Sequence, residues 1–115
     1  MTPVEEWEAM LSEAGELTSE AADRIIKTHG DRGARAIDAV AEERVKQYRD
    51  FTVVVGHEDE YVIENEHCEC DDTIYNLDPE DPTALCWHSI ATKIARGIDA
   101  VDYHDMWYSD VREFL

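Results

Sequence analysis

Lysine and arginine are absent between residues 50 and 92, although this stretch contains 12 Asp and Glu residues. The whole chain of 115 residues has 10 Lys and Arg against 28 Asp and Glu, which gives a formal net charge of −18. Because a surface of this sign repels phosphate backbones, the charge disfavours general nucleic-acid binding. Only three of the ten cations are lysines, and such a lysine-poor, acid-rich composition is typical of proteins that work in molar salt, where charge repulsion is screened.

Long apolar runs are also missing, since no segment approaches the ~18 consecutive apolar residues of a membrane-spanning helix. The first residues have neither the basic nor the apolar region of a signal peptide. We therefore expect a cytoplasmic protein without membrane segments. An apolar content of 43% is too high for a disordered chain, and the length favours one domain over residues 1–115.

Residues 1–50 show the hydrophobic periodicity of about three helices. The first is expected to begin at Thr2, which has the residue type and position of an N-cap. The third begins near Asp31. Because apolar residues continue at helical spacing as far as Tyr48, we expect this helix to end by Asp50.

Residues 51–97 change to the alternation of strands and then return to a helical pattern. Phe51–Val55 and Tyr61–Glu64 predict a β-hairpin. The following residues, 67–85, contain two prolines and several acids, and predict a long irregular loop. A helix that ends at Gly97 comes next, so the fold class is predicted to be α+β.

Residues 98–115 predict a last amphipathic helix from about Asp102. It carries four aromatic side chains, which we expect to pack in the core: Tyr103, Trp107, Tyr108 and Phe114. If some of them remain exposed, they would form an aromatic anchor of the kind that protein interfaces use. Exposure of Trp107 decides between these two expectations.

The three cysteines all lie in the cation-free stretch, as Cys68 and Cys70 and, after a gap of 15 residues, Cys86, which is followed by His88. An odd number of cysteines without an export signal argues against a disulfide framework. Three thiols and one imidazole in two short pairs form a complete tetrahedral ligand set for zinc. Because these four ligands leave no position for water, the pattern favours a structural zinc over a catalytic one.

The pair Cys86 and His88 places a geometric constraint on the last helix of this part. Side chains at i and i+2 point about 200° apart on a regular helix and cannot share one metal ion. We therefore expect Cys86 before the helix or at its cap, and His88 in the first turn. A thiolate at a helix N-terminus is also stabilised by the exposed N–H groups and the helix dipole.

Other assignments of these residues remain open. His67 and His104 are alternatives for the fourth ligand, whereas His29 and His57 are expected at the surface. The cysteines could instead be buried thiols that pack as small apolar groups, or could hold an iron–sulfur cluster together with the histidine.

The order C-x-C, gap and C-x-H, directly after a hairpin and running into a helix, resembles the SWIM zinc finger. The resemblance covers about residues 51–97 and implies a ββα arrangement with four zinc ligands: Cys68, Cys70, Cys86 and His88. Ala91 completes the form C-x-H-x-x-A, which is similar to the SWIM proteins of Shu-type recombination complexes. A small side chain at this place would let the hairpin approach the metal closely. The resemblance therefore implies an interaction module that works in DNA recombination or repair.

Two departures from the SWIM pattern weaken the implication of DNA binding. Trp87 stands where a lysine is common, and we expect no basic residue near the site. Since no catalytic motif can be assembled either, the expected function is binding of a protein partner, such as a recombinase-type protein, and not an enzymatic one. One alternative is a small metalloenzyme. The other is direct nucleic-acid binding by basic residues attributed to the second and third helices: Arg24, Lys27, Arg32, Arg35, Arg44, Lys46 and Arg49.

Overall fold

A computed structural model of the chain describes residues 2–56, 60–64, 67–68, 70, 72, 76–78, 80–81 and 83–112, with the backbone alone for residues 64, 67, 68, 111 and 112. The helices are α1 (Pro3–Ala14), α2 (Ser19–His29), α3 (Asp31–Ala41), α4 (Trp87–Gly97) and α5 (Tyr108–Arg112). The strands are β1 (Val45–Gln47), β2 (Thr52–Val55), β3 (Glu60–Glu64), β4 (His67–Cys68) and β5 (Asp102–Tyr103). The α+β class and the three N-terminal helices are confirmed, and the Thr2 side chain caps α1 as expected.

The five strands form one mixed sheet in the order β4-β3-β2-β1-β5. The predicted hairpin is confirmed as the antiparallel pair β2 and β3, in which Val54 lies opposite Tyr61 and Thr52 opposite Ile63. Strand β5 pairs with β1 in parallel, whereas the other neighbours are antiparallel. The hairpin therefore carries the chain directly to β4, the strand that includes Cys68.

The prediction that the third helix extends toward Asp50 is wrong, because α3 ends at Ala41. Glu43 adopts a left-handed conformation with φ 57°. Its N–H donates to the Val40 carbonyl at 3.0 Å, and the Arg44 N–H donates to the Ala39 carbonyl at 2.9 Å. These two bonds are the Schellman pattern that ends helices, usually with glycine at the left-handed position. The chain then forms β1, which places its residues on a sheet and not on a helix.

The prediction of a C-terminal helix from Asp102 is also wrong. Residues 102–103 form β5, and helix α5 begins only at Tyr108, where the Asp50 carboxylate accepts the Tyr108 N–H at 2.7 Å. Tyr108 is buried, whereas Tyr103 and Trp107 are exposed, so the expectation that these two pack in the core fails. Phe114 lies outside the described residues.

The core lies between the helices and one face of the sheet. Helix α3 packs against α4, and Gly33 allows the close approach of α2, since a Cβ at this position would lie 2.8 Å from the Ile25 carbonyl oxygen. The largest fully buried apolar side chains come from all these layers: Trp7, Leu11, Ile25, Val45, Val53, Val54, Ile90 and Ile94. Within the described ranges, no helix is long and apolar enough to cross a membrane. The assignment of residues 1–115 to one domain stays a prediction.

Candidate metal centre

Three of the four predicted ligands come together at one end of the core. Cys70, Cys86 and His88 are buried, and their potential ligand atoms all lie within 4.8 Å of one another. The side chain of Cys68 lies outside the described residues, but its backbone pairs opposite Ile63, a buried member of the core cluster that also contains Cys70 and Cys86. The loop between the two cysteine pairs therefore returns to the point from which it leaves the sheet.

Cys86 lies at the N-cap of α4, and His88 lies in the first turn, as the spacing predicted. The Cys86 Sγ accepts the Ser89 N–H at 3.4 Å, and the Cys86 thiol and the Ser89 hydroxyl are hydrogen-bonded at 3.4 Å. Because the backbone of Cys86 is extended and not helical, the side chains of Cys86 and His88 need not point apart as they would on a regular helix. The exposed N–H groups at this helix end would stabilise a metal-binding thiolate.

The imidazole of His88 is held between two aromatic rings. Its centroid lies 3.8 Å from that of Tyr61 and 4.1 Å from that of Trp87, with interplanar angles of 32° and 41°. The Thr92 hydroxyl donates to the His88 backbone carbonyl at 2.9 Å. These contacts position the ring before any ion binds, which reduces the entropy lost on coordination. Ala91, on the next turn of α4, is fully buried in the core cluster.

An arginine of α3 is bound to the loop that carries the cysteines. Arg32 forms a two-pronged pair with Asp72, with its Nε 2.7 Å from Oδ2 and its Nη2 2.8 Å from Oδ1. The hydrogen bond to Asp72 is the main cause that raises the pKa of Arg32, and the nearby sulfur atoms of Cys86 and Cys70 raise it further. The same hydrogen bond, with a second one from Asn76, holds the pKa of Asp72 below its ordinary value. A permanent positive charge is therefore bound to the loop that carries the cysteines.

Two further arginines lie against Trp87, the residue between the last two predicted ligands. The guanidinium carbon of Arg35 is 5.2 Å from the Trp87 ring centroid, and that of Arg44 is 5.7 Å from it. The expectation that no basic residue lies near the site is therefore wrong. These three arginines are remote in sequence from the ligands. Arg32 and Arg35 reach the site because α3 packs on α4, and Arg44 reaches it from the turn that follows α3.

The proposed basic face of the N-terminal region is largely neutralised by ion pairs. Three of its seven cations, Arg44, Lys46 and Arg49, follow α3 and do not lie on helices as predicted. Five of the seven lie within 3 Å of a carboxylate: Arg24 with Glu6, Arg32 with Asp72, Arg44 with Glu42, Lys46 with Asp102, and Arg49 with Asp105. Such pairs reduce the positive potential that a phosphate backbone would meet.

The other histidines whose side chains the structure describes lie outside the cluster of Cys70, Cys86 and His88. His104 stacks on Tyr48, its Nε2 is 2.9 Å from Asp102 Oδ2, and it is not part of the buried cluster. His29 is half-buried and accepts the Trp7 indole N–H at 3.2 Å, which corrects the expectation of a surface residue. Burial lowers the pKa of His29. The side chain of His67 and all of His57 lie outside the described residues.

The cluster could hold a metal ion. Two sulfur atoms and one imidazole nitrogen are donors that zinc prefers. Sequence reasoning missed Arg32 and Tyr61, which contact the loop and the histidine. Only tertiary packing brings these two residues to the site, so no local pattern could have identified them.

Comparison with known proteins gives one informative relative. The chain is 38% identical over 91 residues to a protein of Archaeoglobus fulgidus that is described as uncharacterized. The match covers 79% of this chain and 77% of the relative. No protein-family model and no solved structure matches the chain.

Proposed function

We propose that the chain, which belongs to the same family as the Archaeoglobus fulgidus protein, is a zinc-binding protein that works as a protein-interaction module. The observation that carries this proposal is the buried cluster of Cys70, Cys86 and His88, with ligand atoms within 4.8 Å of one another. An ion shared by the three groups would offset the cost of burying the polar imidazole in the core.

The fourth ligand in this proposal is Cys68. Its backbone position opposite Ile63 starts the loop at the same end of the core as the described cluster. A set of three cysteines and one histidine is a common structural zinc site. Three thiolates and Zn²⁺ together carry a net charge of −1, while the charge of the neighbouring Arg32 is balanced by Asp72.

A structural role fits the burial of the site better than a catalytic role. Catalytic zinc needs an open position for water, whereas the described ligands are almost completely enclosed. The metal would hold the loop after β4 against α3 and α4. The resemblance to SWIM proteins supports an interaction with a protein partner in DNA recombination or repair.

Metal titration tests the zinc assignment. Chelated protein should take up one equivalent of zinc, and Cys68→Ser, Cys70→Ser, Cys86→Ser and His88→Ala should each lose most of that uptake. The matched control is His104→Ala, which removes an imidazole outside the cluster and should bind zinc as the wild type does. Absence of uptake by the wild type would disprove the proposal, and a coloured protein with bound iron would favour a cluster instead.

Cobalt(II) substitution tests whether the site is closed. A structural site should give the intense visible bands of tetrahedral thiolate coordination, and these bands should not change when azide is added. A change with azide would reveal an open position and would support a catalytic centre instead. If Cys68→Ser binds the metal as the wild type does, Cys68 is not a ligand. One of the four positions would then lack a protein ligand, which would also support an open site.

A further inference from the structure

Exposed large apolar side chains are concentrated near the C-terminus. Of the four in the described part of the chain, three fall within five consecutive residues: Tyr103 at 68%, Met106 at 47% and Trp107 at 49% exposure. We call these three residues the C-terminal aromatic surface. Isolated exposed apolar residues are ordinary, but a group that includes Trp and Tyr is typical of interaction sites.

The C-terminal aromatic surface is held in place by the fold. The His104 N–H donates to the Gln47 carbonyl at 2.8 Å, and the Arg49 N–H donates to the Met106 carbonyl at 2.9 Å. The carboxylate of Asp50 caps α5 directly after Trp107. Because the backbone is already ordered, binding through these side chains would cost little conformational entropy.

Acidic side chains outnumber basic ones in the segment that carries this surface. Residues 97–112 contain four Asp and one cation, Arg112, whose side chain lies outside the described residues. Lys46 is bound to Asp102 and Arg49 to Asp105, both at 2.7 Å. In the part of the chain that the structure describes, no cation lies within 4.0 Å of the carboxylates of Asp99 or Asp110. Together with Asp50 at the start of α5, these residues give the surface exposed aromatic rings and an excess of negative charge.

This combination favours one kind of occupant. We infer that the C-terminal aromatic surface binds a basic segment of a partner protein. Arginine and lysine side chains interact favourably with the faces of Trp and Tyr and with carboxylates. A second copy of the chain would bring the same negative charges together, since symmetric contacts pair identical surfaces. This inference deepens the interaction role proposed above, but it uses a surface separate from the metal centre.

A peptide-binding experiment tests the inference on the zinc-loaded full chain. The probe is a short fluorescein-labelled peptide of alternating Arg and Leu, and its charge control alternates Glu and Leu. Trp7 and Trp87 are buried, so acrylamide quenching of the wild type reports mainly on Trp107. The Arg peptide should protect Trp107 from quenching, and the Glu peptide should not.

Matched variants test whether the Arg peptide binds this surface or is attracted only by the overall negative charge of the protein. Trp107→Ala should weaken binding of the Arg peptide by about tenfold, and Tyr103→Ala should weaken it less. Ile26→Ala is the control, because Ile26 is 43% exposed on α2, three residues after Asp23, and it should change affinity by no more than about twofold. Asp110→Asn should weaken binding more than Asp23→Asn does.

Three results would overturn the inference. The first is equal binding by wild type and Trp107→Ala, or an equal loss with Ile26→Ala. The second is a wild-type dimer in sedimentation that Trp107→Ala converts to a monomer, since the occupant would then be a second copy. The third is stronger protection of Trp107 by phosphatidylglycerol vesicles than by the Arg peptide. Zinc content measured on each variant distinguishes these failures from a failure of the metal proposal.

Discussion

The helical framework and the cysteine-bearing loop are stabilised by different interactions. The framework, α1 to α4 with β1 to β3, has a core of fully buried apolar side chains such as Trp7, Leu11 and Ile90. The loop, residues 67–86, contributes only half-buried leucines and two buried cysteines to that core in its described part. It is otherwise joined to the framework by the pairing of β4 with β3, by the Arg32–Asp72 pair and by a hydrogen bond between His29 and the Thr83 backbone, and it contains short turns at Asp78 and Asp81.

This difference indicates a division of roles. Apolar burial stabilises the framework by about 25 cal/mol per Å², whereas a polar loop without a core of its own needs a specific cross-link. The metal centre is therefore expected to order the loop more than it stabilises the whole chain. The following predictions test that separation.

The largest expected effect is on the framework. Trp7→Ala should lower the free energy of unfolding by about 3–5 kcal/mol, because it leaves a large cavity and removes the hydrogen bond to His29. Urea denaturation of the metal-loaded protein measures this change. The control is Trp107→Ala, which removes an exposed indole and should change stability by no more than about 0.5 kcal/mol. Similar losses in both variants would contradict the assignment of the core.

Removal of the metal should act mainly on the loop. At a free zinc concentration 100 times the dissociation constant, binding should stabilise the folded protein by about 2.7 kcal/mol. After chelation, amide hydrogen exchange should become faster in the loop, while α1 and α2 keep their protection. Cys86→Ser should show the same exchange pattern without chelator. Loss of protection in α1 and α2 as well would show that the framework itself depends on the metal.

A smaller effect is expected from the ion pair that joins the two regions. A double-mutant cycle on Arg32→Ala and Asp72→Asn should give a coupling energy of about 1 kcal/mol, because the pair is two-pronged and partly buried. The matched pair on the framework, Arg24 and Glu6, is more exposed and should give about 0–0.5 kcal/mol. Arg32→Ala should also weaken zinc binding by up to about tenfold. Equal coupling in the two pairs would remove the special role of Arg32.

The parts of the fold that were predictable have local causes. Thr2 at the start of α1 and Gly15 at its end, with φ 69°, are ordinary capping signals. The end of α3 could not be predicted, because Glu43 occupies the left-handed position where glycine is usual. The helical spacing of apolar residues continued beyond it, but those residues pack on a sheet. Strand β5 was missed because its two residues pair with a strand more than 50 residues away.

The candidate site also has parts that follow from the local sequence and parts that depend on contacts between distant segments. The placement of Cys86 at the cap of α4 and His88 in its first turn followed from their spacing alone. The approach of Cys70 to them depends on the path of the whole loop. The contacts of Arg32, Arg35 and Tyr61 with the site's residues arise from packing between distant segments, so the local charge count wrongly suggested a site without cations.

The smallest expected effect is the acid sensitivity of the sheet edge. The hydrogen bond from Lys46, followed by that of His104, lowers the pKa of Asp102 below its ordinary value of 3.8. The unfolded chain therefore takes up a proton at this residue at a higher pH than the folded chain does. The stabilisation from Asp102 is complete above pH 3.8 and is lost as the pH falls through the lower pKa of the folded state.

With chelator present throughout, so that metal release does not contribute, Asp102→Asn should be less stable than the wild type at neutral pH, and the difference should shrink in acid. A difference that does not depend on pH would mean that the carboxylate's charge does not stabilise the pairing of β5 with β1.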